Sequence, residues 1–313
     1  MLLGAILLAT LLAAVPGASA QALLIGAGDI VECPKQTGKN REYRNAEATA
    51  QLLDEHARGP EAVVFTLGDN VYPKGSRKEF RECYGPTWGR HKDRTRPALG
   101  NREYNDKKSA AGYFDYFGER AGPRGKGYYS YDHGGWLIVV LNSNLCADPA
   151  ARRFDPEGCA RQLRWLEETL RANPRPCSLA VSHHPVVSAG EPAEDESAMR
   201  PAFRLLYEHG VEVLLAGHRH LYDRFVPLGP AAGGAALSLK RDDDRGLEQF
   251  IVGTGGKDLA SIQRKDHPLR ARPGAGNGAH GVLKLTLLAD RYRWEFVPVA
   301  GRKFHDSGER RCH

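Results

Sequence analysis

Four short apolar runs in this chain each stop at a glycine or a histidine, and a side chain able to hold a metal follows at once. Residues 22–26 (Ala-Leu-Leu-Ile-Gly) lead into Gly28-Asp29, and residues 62–67 lead into Gly68-Asp69-Asn70-Val71-Tyr72. Residues 178–182 end at His183-His184-Pro185, and residues 211–216 end at Gly217-His218-Arg219-His220. A fifth motif, Gly100-Asn101-Arg102-Glu103, lies between the second and third. Short β-rich runs bounded by turn residues read as buried strands. In open α/β sheets the ligand site lies beyond the carboxyl ends of the strands. The pattern therefore predicts an α/β fold whose strand ends converge on one site.

The donors at those ends are of one kind. Two carboxylates, a phenol, an amide and several imidazoles form a ligand set for a pair of hard-to-borderline metal ions, a common device for cleaving phosphate esters. Glycine before each Asp and before His218 lets the backbone turn sharply beside such a centre. No single motif decides the matter. Gly-Asp is common, His-His-Pro can be a surface turn, Tyr72 can be a packed tyrosine, and Asn101 can cap a turn. The order and context of all five carry the reading.

On these motifs the chain resembles the calcineurin-like metallophosphoesterases, and more closely their purple acid phosphatase branch. That branch carries Gly-Asp-x-x-Tyr, matched by Gly68 to Tyr72, and lacks the histidine that other members place where Val31 stands here. The resemblance covers most of residues 22–300. It implies a four-layer α/β/β/α sandwich of two mixed sheets, with a dinuclear metal site at the carboxyl ends of the strands. It implies that Asp69 bridges both ions. Asp29, Tyr72 and His220 would complete the first site; Asn101, His183 and His218 would complete the second. The tyrosine implies a ferric ion at the first site, with zinc, manganese or ferrous iron at the second. A hydroxide held by the metals would attack phosphorus.

One departure from the family stands out. The third motif usually reads Gly-Asn-His-Glu or Gly-Asn-His-Asp, and here Arg102 replaces the histidine that touches substrate and helps protonate the leaving group. Arginine stays charged and cannot be a general acid, although it can hold a phosphate oxygen. Arg102 and His184 are therefore the expected catalytic or phosphate-contacting residues, with His184 open to a purely structural reading.

The first 20 residues carry no charge, are rich in Leu and Ala, and end Ala18-Ser19-Ala20, which reads as a secretory signal despite the lack of an early Lys or Arg. The stretch falls short of the ~20 apolar residues that span a bilayer. Residues 21–313 are expected to form a single metallophosphoesterase domain in a secreted or periplasmic protein. Helices are expected near 45–57, 160–172 and 201–209, and later strands at 248–253, 281–288 and 291–298. Residues 228–247 and 264–280 read as variable loops, the first a solvated excursion. Gly253-Thr254-Gly255-Gly256-Lys257 is not a phosphate-binding P-loop, because Ile251 and Asp258 stand where Gly and Ser or Thr are needed. It reads as a tight turn near the site.

A net charge of +6 would draw anionic substrates toward the cleft. The basic residues are scattered without aromatic interleaving, so specific nucleic-acid binding is not expected, and no membrane partner is. The oligomeric state is not fixed by the sequence. Six cysteines in an exported chain imply disulfides. Cys146 and Cys159 enclose a short strand-to-helix loop; Cys33 and Cys83 each follow a motif-bearing strand; Cys177 and Cys312 remain. These positions make Cys146–Cys159, Cys33–Cys83 and Cys177–Cys312 the expected pairs, although the sequence does not fix the connectivity; no Cys-x-x-Cys points to a cysteine metal site. The expected function is hydrolysis of a small phosphomonoester. A phosphodiesterase or nucleotide hydrolase on the same core is the alternative, and a weakly active metal- or phosphate-binding protein is the alternative of another class.

Overall fold

The computed structural model describes residues 21–34, 40–106, 109–146, 155–190, 198–231, 238–272 and 278–313. The proposed signal segment lies outside the described residues. Two six-stranded mixed sheets form the body. The first has β1 (Ala22–Ala27), β3 (Ala62–Thr66), β5 (Thr95–Arg96), β14 (Gly281–Leu287), β15 (Arg291–Pro298) and β16 (Ser307–Arg311), ordered β16-β15-β14-β1-β3-β5. The second has β6 (Tyr129–His133), β7 (Trp136–Val140), β8 (Ser178–Val181), β9 (Val213–Ala216), β10 (Tyr222–Arg224) and β13 (Glu248–Val252), ordered β10-β13-β9-β8-β7-β6. Two-stranded pairs join β2 (Val31–Glu32) to β4 (Val71–Tyr72) and β11 (Leu228–Pro230) to β12 (Leu239–Arg241).

Side-chain alternation on the second sheet shows how the layers stack. Ile138, Val140, Leu179, Val181, Val213, Leu215, Phe250 and Val252 belong to the cluster that also holds Leu24, Val64, Leu283 and Leu285 of the first sheet. Their neighbours in sequence, Leu137, Val139, Ala180, Leu214 and Ile251, pack instead with Leu166, Leu170, Phe203 and Leu206. Those four lie on α4 (Pro156–Ala172) and α5 (Arg200–Glu208). A period-two strand buried on both faces has this signature. On the far side, α1 (Arg41–His56) packs against β1 and β14. The layers are thus helix, sheet, sheet, helix. Short α2 (Arg77–Glu79) and α3 (Ala111–Phe117) lie in the segments joining β4 to β6.

Helix starts differ from the periodicity estimate for a physical reason. The Asn40 side chain caps α1 by accepting from the Tyr43 amide at 2.7 Å, and Asp155 caps α4 by accepting from Gly158 at 2.8 Å. Neither first turn carries an aliphatic residue, so apolar spacing alone starts these helices late. Three disulfides join Cys33 to Cys83, Cys146 to Cys159, and Cys177 to Cys312, the pairing expected from position. Among the described residues no helix is long and apolar enough to cross a membrane.

In 228–247 the β11–β12 pair and the bond from Tyr207 to Asp242 at 2.7 Å tie the described residues to the body, while 240, 241 and 243–245 are exposed, as expected of a solvated excursion; 232–237 lie outside the described residues. Of the 264–280 segment, in which 273–277 lie outside the described residues, Arg270 is buried against Asp223, with Nε 2.9 and 3.1 Å from the two carboxylate oxygens.

Candidate metal centre

The parallel pairs β1/β3 and β8/β9 point their carboxyl ends the same way, and the donors stand just past them. Asp29 follows β1, Asp69 follows β3, His183 follows β8, and His218 and His220 follow β9. Asp29, Asp69 and His218 have φ of 56°, 49° and 66°, in the left-handed region that non-glycine residues seldom adopt. Such strain concentrates at functional sites, where the surrounding structure holds it in place. Gly68 has φ of 81°, and a Cβ there would lie 2.6 Å from the Gly100 nitrogen and 2.7 Å from His183 Nδ1. Only glycine lets these three segments meet.

The donors fall into two clusters that touch. In one, the buried Tyr72 hydroxyl donates to Asp29 Oδ1 at 2.8 Å and lies 3.2 Å from His220 Nε2, which is 3.4 Å from Asp29 Oδ1. In the other, His183 Nε2 is 3.0 Å from Asn101 Oδ1 and 3.4 Å from Asp69 Oδ1. His218 Nδ1 lies 3.3 Å from both Asn101 Oδ1 and His183 Nε2. Asp29, Asp69 and His183 each place a ligand atom within 4.8 Å of the others, so Asp69 and Asp29 link the clusters.

Tautomers sharpen the argument. His183 Nδ1 is 2.7 Å from the Leu67 carbonyl, and His220 Nδ1 is 3.1 Å from the Asp258 carbonyl. Each Nδ1 therefore carries the proton, and each Nε2 turns a lone pair toward a carboxylate oxygen. Acceptors that face one another in a buried site need positive charge between them, as extra protons on the imidazoles or as metal ions. Burial alone would raise the Asp29 carboxyl, but the hydrogen bond and charge of His220, with His183 and His218, hold it at about 2. Burial lowers His220, and Asp29 more than offsets this, so the imidazole is raised overall. Burial, then the charges of Asp29 and Asp69, push Tyr72 well above the usual phenol range, so only a strongly acidic cation would make it a phenolate. Oxygen and imidazole donors without sulfur fit hard-to-borderline ions.

Arg102 stands beside this set. Its amide donates to Asp69 Oδ1 at 2.7 Å, its Nε lies 3.7 Å from Asp69 Oδ2, and its guanidinium is 5.4 Å from the Tyr72 ring centre. His184 is buried, with Nδ1 2.8 Å from the Ser143 hydroxyl and its ring centre 4.4 Å from that of His218. His183, His184 and His218 also bring ring nitrogens within 4.8 Å of one another.

The sequence reading missed three supporting residues. Buried Glu103 accepts from the amides of Gly100, Asn70 and Asp69 at 2.7, 2.8 and 3.1 Å, tying the second motif to the third. Burial, then the Asp69 charge, push its carboxyl up against the pull of those amides. Its place two residues after Asn101 was the available signal. Lys257 puts its ammonium 5.3 Å from the Tyr72 ring centre and pairs with Glu32 and Glu42. Ser143, which orients His184, has no sequence signal at all. The 253–258 turn does lie at the site: the Lys257 amide donates to the Asp29 carbonyl at 3.0 Å, and the Gly255 amide to the Gly28 carbonyl at 2.9 Å.

Comparison with known proteins agrees with this geometry. The calcineurin-like phosphoesterase family profile matches residues 22–222. The chain belongs to that family. It is 27% identical over 187 residues to probable purple acid phosphatase 20 of Arabidopsis thaliana, covering 57% of this chain and 39% of that protein. The chain spans less than half the length of the curated relatives it matches. Among solved structures, purple acid phosphatase PPD1 from yellow lupin (Lupinus luteus) seeds superposes with a TM-score of 0.62 at 17% identity, over 94% of this chain and 54% of that one. GAP50, described as the anchor in the inner membrane complex of Plasmodium, superposes with a TM-score of 0.63 at 12% identity, over 94% of this chain and 89% of that one. At these identities the two structures speak for the fold alone.

Proposed function

We propose that this protein is an exported, dinuclear-metal phosphomonoesterase of acid phosphatase type. The observation that carries the reading is the pair of acceptor clusters meeting at Asp29 and Asp69. Asp69 would bridge two ions, with Asp29, Tyr72 and His220 on the first and Asn101, His183 and His218 on the second. Two such ions would supply Lewis acidity toward the phosphate oxygens and lower the pKa of water. The Tyr72 phenol favours a ferric ion at the first site, with zinc, manganese or ferrous iron at the second.

The chain's own residues would then orient the ester. His184, fixed by Ser143, holds or moves a proton at Nε2. Arg102 supplies a fixed positive charge at the mouth, where its side chain is 42% exposed. The three disulfides support a secreted or periplasmic location, since such bonds persist in oxidising compartments. Arg102 also favours a second reading, a weakly active metal- or phosphate-binding protein, because no histidine stands at that place to protonate a leaving group.

The test is turnover of an aryl phosphate monoester and the matching bis-aryl diester by wild type and Asp69→Ala. The proposal expects monoester turnover to dominate and to vanish in Asp69→Ala. Diester preference would move the assignment to a phosphodiesterase. Stoichiometric metal binding without turnover of either ester would leave the binding protein.

A further inference from the structure

A cavity of about 420 Å³ opens beside the metal centre, and His218 and His220 both line it. Arg219, Leu259, Ser261 and Gln263 line it as well. The presence of Arg219 in this wall is unusual in its bonding. Its Nε and Nη2 are buried and have no hydrogen-bond partner. No carboxylate among the described residues pairs with it. Two other arginines of the fold show how such a group is met: Arg224 pairs with Glu248 at 2.8 Å and with Asp306 at 2.9 Å, and Arg270 pairs with Asp223. Buried N–H groups left without an acceptor are costly, so an acceptor, best a counter-charge, belongs at Arg219 Nε and Nη2.

The chemistry of that counter-charge follows from the atoms left unpaired. Nε and Nη2 form the side fork of the guanidinium, which matches the two oxygens of a carboxylate or phosphate. Ser261 and Gln263 add neutral donors, and Leu259 adds an apolar wall. The scissile phosphate would sit on the metals held by His218 and His220. A second group bound in the same cavity would therefore belong to the same small molecule.

Resting on the phosphatase reading, we infer that Arg219 is a specificity-determining residue that binds a second oxyanion of the substrate. The substrate class is a phosphoester or phosphoanhydride carrying another phosphate or a carboxylate close to the scissile group. Arg219 is not needed for the chemistry itself, so a substrate without a second anion should not feel its loss.

The experiment compares wild type, Arg219→Ala and Arg219→Lys on three substrates: p-nitrophenyl phosphate, adenosine diphosphate and carboxyphenyl phosphate. Arg219→Ala should raise KM for one or both doubly anionic substrates about 10–100-fold, the range for a charged hydrogen-bonded pair. The kcat values should hold, and KM for p-nitrophenyl phosphate should change less than about threefold. Arg219→Lys should recover part of the loss, since a point charge lacks the fork. A rise for the diphosphate alone assigns a phosphate to the subsite, and a rise for the carboxyphenyl ester alone assigns a carboxylate. Equal KM changes on all three substrates would overturn the inference. Calorimetry separates it from the phosphatase reading. Wild type should bind inorganic pyrophosphate at least about tenfold tighter than phosphate, and Arg219→Ala should lose that preference. If no ester is turned over, the phosphatase reading fails while this preference still decides on Arg219; its absence in wild type overturns the inference.

Discussion

Removing the Asp223 carboxylate should be among the most damaging single changes outside the metal centre. Asp223 lies on β10, three residues after His220, and its side chain and that of Arg270 are each 1% exposed. Arg270 Nε contacts both carboxylate oxygens, and its Nη1 donates to the Lys265 carbonyl at 2.7 Å. The guanidinium therefore cannot swing to water without pulling the 265–271 segment with it. In Asp223→Ala a buried charge loses its counter-charge, which costs about 3–5 kcal/mol. At about 2–4 °C per kcal/mol for a chain of this size, the melting temperature should fall by about 6–20 °C.

Asp223→Asn separates charge from contact, and pH gives its sign. Burial, the largest influence, raises the Asp223 carboxyl from 3.8 to about 6 against the pull of Arg270. A folded pKa above the unfolded one means that ionisation is penalised in the fold. The stability this group contributes is complete below about pH 4 and is lost as pH rises through 6. The asparagine does not titrate, so the stability advantage of wild type over Asp223→Asn should be largest near pH 4 and shrink toward pH 7. Urea melts at both pH values, at matched metal content, measure this. A loss below about 1 kcal/mol in Asp223→Ala, or a gap to Asp223→Asn that widens with pH, would refute the reasoning.

Three further outcomes are expected. Arg102→His should flatten the dependence of rate on leaving-group pKa, with a gain on alkyl phosphates of about 10²–10⁴-fold, the usual value of general acid help; a uniform rise in KM with the slope unchanged would make Arg102 a phosphate clamp instead. Replacing Cys146 and Cys159 together by serine should cost about 3 kcal/mol in denaturant melts, because their bond closes a loop with a sequence separation of 13; an unchanged midpoint would contradict this. Tyr72→Phe should bleach a purple or pink wild-type protein while leaving its far-ultraviolet circular dichroism intact, and colour that survives the substitution would remove Tyr72 from the iron.

The strands that carry the donors were legible because buried parallel strands are continuous apolar runs, and a ligand at their carboxyl end breaks the run abruptly. Asp29, Asp69, His183 and His218 all announce themselves this way. β7 is an apolar run of the same kind, Trp-Leu-Ile-Val-Val, yet it bears no motif and stood out only as the strand before Cys146. β6 and β16 lie at sheet edges, where the burial alternates and polar residues replace the apolar run. Ser-Gly-Glu-Arg-Arg is held in β16 by backbone pairing with β15, which no side-chain pattern reports. Arg270 was unreadable for the opposite reason: arginine is ordinarily exposed, and only the distant Asp223 makes its burial tolerable. The same limit hid Glu103 and Ser143, whose roles arise from amides and imidazoles brought together by the fold. Arg219 was visible inside a motif, but its unpaired fork is a property of the packed site.

The central claim is that the two facing clusters of acceptors hold two metal ions. Elemental analysis of the purified protein tests it most directly, done before and after dialysis against a strong chelator and repeated on Asp69→Ala. The account predicts about two transition-metal equivalents per chain in wild type, a drop in thermal stability when they are removed, and a loss of at least one equivalent in Asp69→Ala, whose carboxylate would bridge both sites. Wild-type protein that holds no metal after supplementation with iron and zinc, or that cleaves aryl phosphate at full rate once stripped, would contradict it.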